Sequence, residues 1–104
     1  MIYPATIGIV GGGQLGKMLT IAAKKMGFFV IVSHPTPNSP AGQVADRQII
    51  GDFKDAKTTR ELAKLVDILT IEAEFVNDRV LQKIADKGLP VHPAPRTIAI
   101  IKDK

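Results

Sequence analysis

Thr6 to Met26 reads TIGIVGGGQLGKMLTIAAKKM, and the class of fold turns on this stretch. Ile7, Gly8, Ile9 and Val10 form a short apolar run suited to a buried strand. Gly11, Gly12 and Gly13 follow. Leu15, Met18, Leu19, Ala22 and Met26 then recur at spacings of three and four, which predicts one inward face of a helix. A strand, a glycine turn and a helix in that order open a βαβ unit, so the chain is expected to start on a doubly wound sheet. Gly11, Gly13 and Gly16 fit G-x-G-x-x-G, in which glycine reaches backbone angles closed to other residues and lets the helix approach the strand. Free amides at the helix start, aided by its dipole, favour an anion near Gly12 to Leu15. The plainer reading, a turn that is merely compact, fits the same glycines, and the fingerprint does not name a ligand.

The rest of the chain bounds what such a unit can belong to. A length of 104 residues allows one domain with a modest core. Its longest apolar run, Phe28 to Val32, is far too short to cross a bilayer, and Met1 to Pro4 has neither the basic start nor the apolar centre of a secretory signal. With no cysteine there is no disulfide and no thiolate metal site, as suits a reducing, cytoplasmic setting. The net charge of +4 could attract nucleic acid. Its lysines are scattered over predicted helices, however, and none of the aromatic residues is interleaved with them as a base-stacking platform requires. Neither nucleic acid nor membrane is expected as a partner.

Working outward, Gly27 is placed to stop the first helix, and Phe28 to Val32 reads as a second strand buried on both faces. Ser33 to Gly42 carries three prolines and reads as a loop at the edge of the sheet that holds the glycine turn. A helical turn at Gln43 to Asp46 and a third strand at Arg47 to Ile50 come next. Asp55 can cap a helix through Val66, with Leu62, Ala63, Leu65 and Val66 inward. Asp67 to Ile71 is a fourth strand. Asn77 or Asp78 caps a helix to Lys87 that Gly88 ends, with Val80, Leu81, Ile84 and Ala85 facing in. Leu89 to Val91 is a fifth strand, and Arg96 to Lys104 a last helical piece after Pro93-Ala94-Pro95. That piece meets no stop signal at Lys102-Asp103-Lys104, which predicts an N-terminal domain separated from its partner domains.

Few residues can carry chemistry. An NAD site wants an acid at the end of the second strand and an NADP site an arginine near it; Ser33-His34 and the following loop offer neither. Glu72 and Glu74 are the sharper feature, because they follow the fourth strand in the crevice where open α/β sheets bind ligands. Two apart on an extended segment, they point the same way and could receive ribose hydroxyls or an amine. Solvated loop acids are the competing reading. His34 and His92 lack partners at a metal-binding spacing, so no metal site is expected, and no nucleophile motif is present.

GIVGGGQLGKML, NSPAGQVADRQIIGDFKD, DILTIEAEFV and PVHPAPRTIAIIKDK, in that order, resemble the N-terminal domain of the 5-(carboxyamino)imidazole ribonucleotide synthetase family. The resemblance covers nearly the whole chain and implies an α/β, Rossmann-like doubly wound parallel sheet of about five strands, with residues 1–104 as a single substrate-binding domain. It implies an ATP-grasp enzyme of purine biosynthesis that uses ATP and Mg²⁺ to activate bicarbonate and carboxylate 5-aminoimidazole ribonucleotide. ATP and metal would be held mainly by ATP-grasp domains absent from this chain, which alone would be inactive and bind no cofactor. By position, Gly11, Gly12, Gly13, Gln14 and Leu15 would face the nucleotide's phosphate or ribose, and Glu72 and Glu74 its ribose or imidazole. Lys104 stands where the family usually has an ATP-touching arginine; lysine keeps the charge but loses the planar fork. Phe75 stands in place of a common asparagine and His34 in place of a common aspartate. The family is commonly dimeric, so a homodimer joins the ribonucleotide and the missing domains among the implied partners. A free-standing NAD(P)- or nucleotide-binding module with a regulatory role is the alternative.

Overall fold

The computed structural model describes residues 5–73 and 76–92. Five parallel strands, in the order β3-β2-β1-β4-β5, carry three helices. The strands are β1 Thr6–Val10, β2 Phe29–His34, β3 Arg47–Ile50, β4 Ile68–Ile71 and β5 Val91–His92. The helices are α1 Gln14–Lys25, α2 Ala56–Lys64 and α3 Asp78–Asp86. The doubly wound sheet is therefore as expected. From β1 the chain moves to one side through β2 and β3, then returns to β4 and β5 on the other side. The reversal leaves a crevice above the carboxyl ends of β1 and β4, where such sheets take ligands.

Side-chain alternation along the strands splits the interior in two. Ile9, Val30 and Val32 face α1 with Ala23 and Ala41, forming a small core. Val10, Ile49, Leu69, Ile71 and Val91 face the other way and pack under α2 and α3 with Leu62, Val80, Leu81 and Ile84. The second core is the larger because two helices cover it, whereas the passage from β2 to β3 on the α1 side is made by a loop.

Helix ends follow local chemistry. The Asp55 carboxylate accepts from the Lys57 and Thr58 amides at 3.4 and 3.3 Å and from the Thr58 hydroxyl at 2.6 Å, capping α2. Asn77, rather than Asp78, caps α3: its Oδ1 accepts from the Val80 amide at 3.2 Å. Gly27 and Gly88 follow the first and third helices at φ +90° and +106°. Strand β2 runs two residues further than expected, so Ser33 and His34 are strand residues rather than loop. The helical turn placed at Gln43 to Asp46 begins earlier, where the Gln43 amide donates to the Ser39 carbonyl at 3.0 Å and the Ala45 amide to the Ala41 carbonyl at 2.9 Å. Strand β4 starts one residue later than expected, and β5 lies at Val91–His92 rather than Leu89 to Val91. The helix expected over residues 96–104 lies outside the described residues.

The largest correction concerns α1. Its buried side is Gly16, Thr20 and Ala23, and the predicted inward residues point out: Leu15, Met18, Leu19 and Met26 are 54, 66, 38 and 74% exposed. Both sides of this helix lack charge, so periodicity alone cannot choose between them. Close approach to β1 chooses the small side. A β-carbon at Gly16 would strike the Gly11 carbonyl oxygen, and the Thr20 hydroxyl folds back on the Gly16 carbonyl at 2.7 Å. A hollow of about 270 Å³ opens beside Leu19 and Met26 over Ile7, Ile9 and Thr70. Helix α2 ends at Lys64 rather than Val66; at its carboxyl cap Leu65 likewise turns outward at 43% exposure, while Thr58, Thr59 and Leu62 are buried.

Candidate functional site

The glycine turn leaves β1 at the crevice. Gly11 has φ +118°, a conformation side chains seldom adopt, and its amide donates to the Ser33 carbonyl at 3.0 Å. Gly13 caps α1 without a side chain, and the first turn of the helix carries no acid. The amides of Gln14 and Leu15 thus begin the helix without a capping side chain, at its positive end.

Glu72 reaches this turn from the adjacent strand. The amides of Glu72 and Ala73 both donate to the Val10 carbonyl, at 2.9 and 3.0 Å, so the end of β4 is tied to the end of β1. The half-buried carboxylate then lies over the glycines: Oε2 is the nearest atom to a β-carbon built on Gly11, and Oε1 is 3.8 Å from one built on Gly13. The expected opposition of acid and turn is present for Glu72. Glu74, Phe75 and Lys104 lie outside the described residues.

One expected donor is already engaged. The Gly12 amide donates to His34 Nδ1 at 3.0 Å, and the imidazole stands edge-on to Phe53 with ring centroids 5.3 Å apart. To accept here, His34 must carry its proton on Nε2. The Gly12 amide is therefore already engaged within the chain, and of the stretch Gly12 to Leu15 expected to favour an anion it is the one bonded to a side chain. What remains is mixed: amide donors at Gln14 and Leu15, and carboxylate acceptors from Glu72.

The proline-rich loop closes the other side. The Ala41 amide donates to the Gly12 carbonyl at 2.9 Å. Ser39 is 2% exposed; its hydroxyl donates to Gln48 Oε1 at 2.9 Å and accepts from the Gly42 amide at 3.0 Å. Gln48, on β3, also receives the Ser39 amide at 3.2 Å and gives its Nε2 to the Thr36 carbonyl at 2.6 Å. A β-carbon on Gly12 would run into the Ser39 hydroxyl, so loop and turn are in close contact. The loop lies at the edge of the sheet expected for it, but Ser39 and Gln48, which hold it, and His34, which holds the turn, were not among the expected site residues. The S-P-A-G run was the available signal, since serine readily bonds a backbone amide two or three residues on.

Among the described residues, no group of three His, Cys, Asp or Glu side chains could hold a metal ion, and no helix is long and apolar enough to cross a membrane.

Known proteins share this fold. Residues 4–102 match the family model of the ribonucleotide synthetase preATP-grasp domain. The N5-carboxyaminoimidazole ribonucleotide synthase of Brucella melitensis is 43% identical over 96% of this chain and 27% of its own length. The crystal structure of N5-carboxyaminoimidazole ribonucleotide synthetase from Thermotoga maritima is 52% identical with a TM-score of 0.91, over 93% of this chain and 27% of that one. That of the Aspergillus clavatus N5-carboxyaminoimidazole synthase, in complex with ADP and 5-aminoimidazole ribonucleotide, is 33% identical with a TM-score of 0.79, over 95% and 26%. The chain thus spans about a quarter of the length of the relatives it matches. A glycine turn closed by the S-P-A-G loop, a first acid above it and agreement in fold over nearly all of these residues lead to one conclusion: the chain belongs to the ribonucleotide synthetase pre-ATP-grasp domain family.

Proposed function

We propose that this chain is the ribonucleotide-binding portion of an ATP-dependent ligase of purine biosynthesis, which carboxylates 5-aminoimidazole ribonucleotide with bicarbonate to give N5-carboxyaminoimidazole ribonucleotide. The observation that carries the reading is the Glu72 carboxylate lying over Gly11 and Gly13 at the β1/β4 crevice. A carboxylate at the turn repels a phosphate there. It suits ribose hydroxyls or an amine, which donate to Glu72 while the hydroxyls accept from the Gln14 and Leu15 amides. The sugar or base edge then meets the turn, and the phosphate is directed away from it. Glu74 adds a second acceptor, and Gln14 a side-chain contact at the rim. The Aspergillus clavatus enzyme, crystallised in complex with ADP and this same ribonucleotide, supports the reading.

ATP and Mg²⁺ belong in this reading to the three quarters of the relatives' length that this chain lacks, with Lys104 reaching ATP at the domain junction. ATP supplies the energy to activate bicarbonate; the residues of this chain bind and orient the acceptor. The whole enzyme is cytoplasmic, and a homodimer is its assembly. The exposed apolar side of α1, from Leu15 to Met26, is where the remaining domains or a second subunit would pack.

Titration of the isotopically labelled chain with aminoimidazole ribonucleotide tests the proposal. Amides of Gly11 to Leu15 and of Glu72 to Phe75 should shift saturably, and Glu72→Gln should weaken the response about tenfold, as for loss of a charge-assisted hydrogen bond. The 104-residue chain should not hydrolyse ATP. Saturable NAD(P) binding at the turn, with no response to the ribonucleotide, would overturn the reading in favour of a free-standing dinucleotide module. His34 stands against that outcome: where such a module needs an acid for the ribose, this side chain is held by Gly12 and Phe53.

A further inference from the structure

On the face of the sheet opposite α1, helices α2 and α3 run side by side and enclose a hollow of about 490 Å³. Ala63, Val80, Ile84 and Leu89 supply its apolar lining, which serves as the floor between the two helices. Four cations line it. Arg60 and Lys64 come from α2, and Lys83 and Lys87 from α3 and its carboxyl cap. The lining holds no acid, and none of these four cations forms an ion pair among the described residues. Lys64, Lys87 and Leu89 place the trough towards the carboxyl ends of the two helices, hence towards the amino ends of the strands. The glycine turn is at the other end of the sheet.

The spacing of the charges is informative. On each wall the two cations are four residues apart, one helical turn, a separation of about 6 Å along the axis. Like charges at that spacing repel and weaken their own helix slightly, and no acid in the lining offsets the cost. Together the walls form two parallel rows of positive charge, one turn in period, on either side of an apolar floor. A helix with an apolar stripe for the floor, and acids one turn apart on both flanks, matches this in shape and sign. Nucleic acid matches less well, because phosphates gain nothing from an apolar floor and the lining offers no aromatic side chain for stacking.

We infer that the α2–α3 trough is a docking surface for an acidic amphipathic helix of a partner protein. It is separate from the ribonucleotide site and does not depend on that assignment. A synthetic helix of about 15 residues, with leucines on one face and glutamates on both flanks, serves as the probe. It should bind the 104-residue chain saturably and shift the amides of Arg60 to Lys64 and Lys83 to Lys87, with affinity falling as salt is raised. The double charge reversal Lys64→Glu/Lys83→Glu should weaken it about tenfold, the sum of two partly exposed pairs. If that variant does not fold, Lys64→Gln/Lys83→Gln should keep its melting curve and still lose about threefold. Equal binding by a folded variant and the parent, equal binding of a peptide with lysines in place of glutamates, or shifts confined to α1 would overturn the inference. So would duplex DNA that displaces the peptide from these same residues at about 0.15 M salt.

Discussion

Replacing Gly11 by alanine tests whether turn, acid and sheet form one rigid unit. Two costs add. The first is the backbone: φ is +118°, and a side chain there brings strain of about 1–3 kcal/mol. The second is space: the new β-carbon would meet the Glu72 carboxylate, lie 2.9 Å from the Ala73 amide nitrogen and 3.2 Å from the Ala73 β-carbon, an overpacking cost of about 1–3 kcal/mol. Gly11→Ala should therefore destabilise by about 4 kcal/mol. That is a large fraction of the roughly 5–15 kcal/mol available to such a domain, and lowers Tm by more than about 15 °C. Gly27→Ala is the internal control. It has φ +90° and nothing within 4 Å of the added carbon, so only the backbone cost remains, about 1–2 kcal/mol. Adding Glu72→Ala to Gly11→Ala should recover part of the difference, because the side-chain obstacle goes and the Ala73 backbone stays. Urea unfolding followed by circular dichroism measures all four proteins. If Gly11→Ala and Gly27→Ala agree within about 0.5 kcal/mol, the turn is not packed against β4, and Glu72 is not held over it.

Other outcomes follow from the same structure. Met18→Gln, at a side chain 66% exposed, should change stability by less than about 0.5 kcal/mol, whereas Ala23→Met on the buried side should cost about 1–3 kcal/mol; comparable losses for both would restore the face expected from periodicity. Asn77→Ala should cost about 1 kcal/mol through the lost Val80 cap, and Asn77→Asp less, since it keeps the cap and loses only the 3.3 Å donation to the Lys54 carbonyl. Leu62→Ala, fully buried on the inner side of α2, should cost about 2–5 kcal/mol in the same unfolding assay. Burial pushes the Asp46 carboxyl up, but hydrogen bonds from Lys24 at 2.6 Å and the Val30 amide at 2.8 Å outweigh it and leave the group below the ordinary carboxylate range. A lowered folded value contributes stability above the unfolded pKa of about 3.9 and loses it as pH falls through the folded value. Asp46→Asn should accordingly narrow the gap between urea midpoints measured at about pH 6 and about pH 3, and an unchanged gap would refute the contribution.

What the sequence determined by itself is local and periodic. Three glycines after a β-branched run made a strand–turn–helix start. Asp55 marked one helix start, and Asn77 or Asp78 another, because an acceptor side chain there bonds orphan amides nearby in the chain. Val80, Leu81 and Ile84 named the inner side of α3, because its other side is charged and leaves no second choice. Glu72 beyond β4 was found by the same means, since a crevice at strand ends follows from the order of elements. Tertiary structure decided what depends on residues distant in the chain. It turned Gly16, Thr20 and Ala23 of α1 inward, because β1 lies too close for leucine or methionine. It also gave the Gly12 amide to His34, 22 residues away, and fastened Ser39 to Gln48 across the loop. A hydrogen bond between residues that meet only when the sheet forms leaves no period in the sequence. The residues that fix the shape of this site are of that kind.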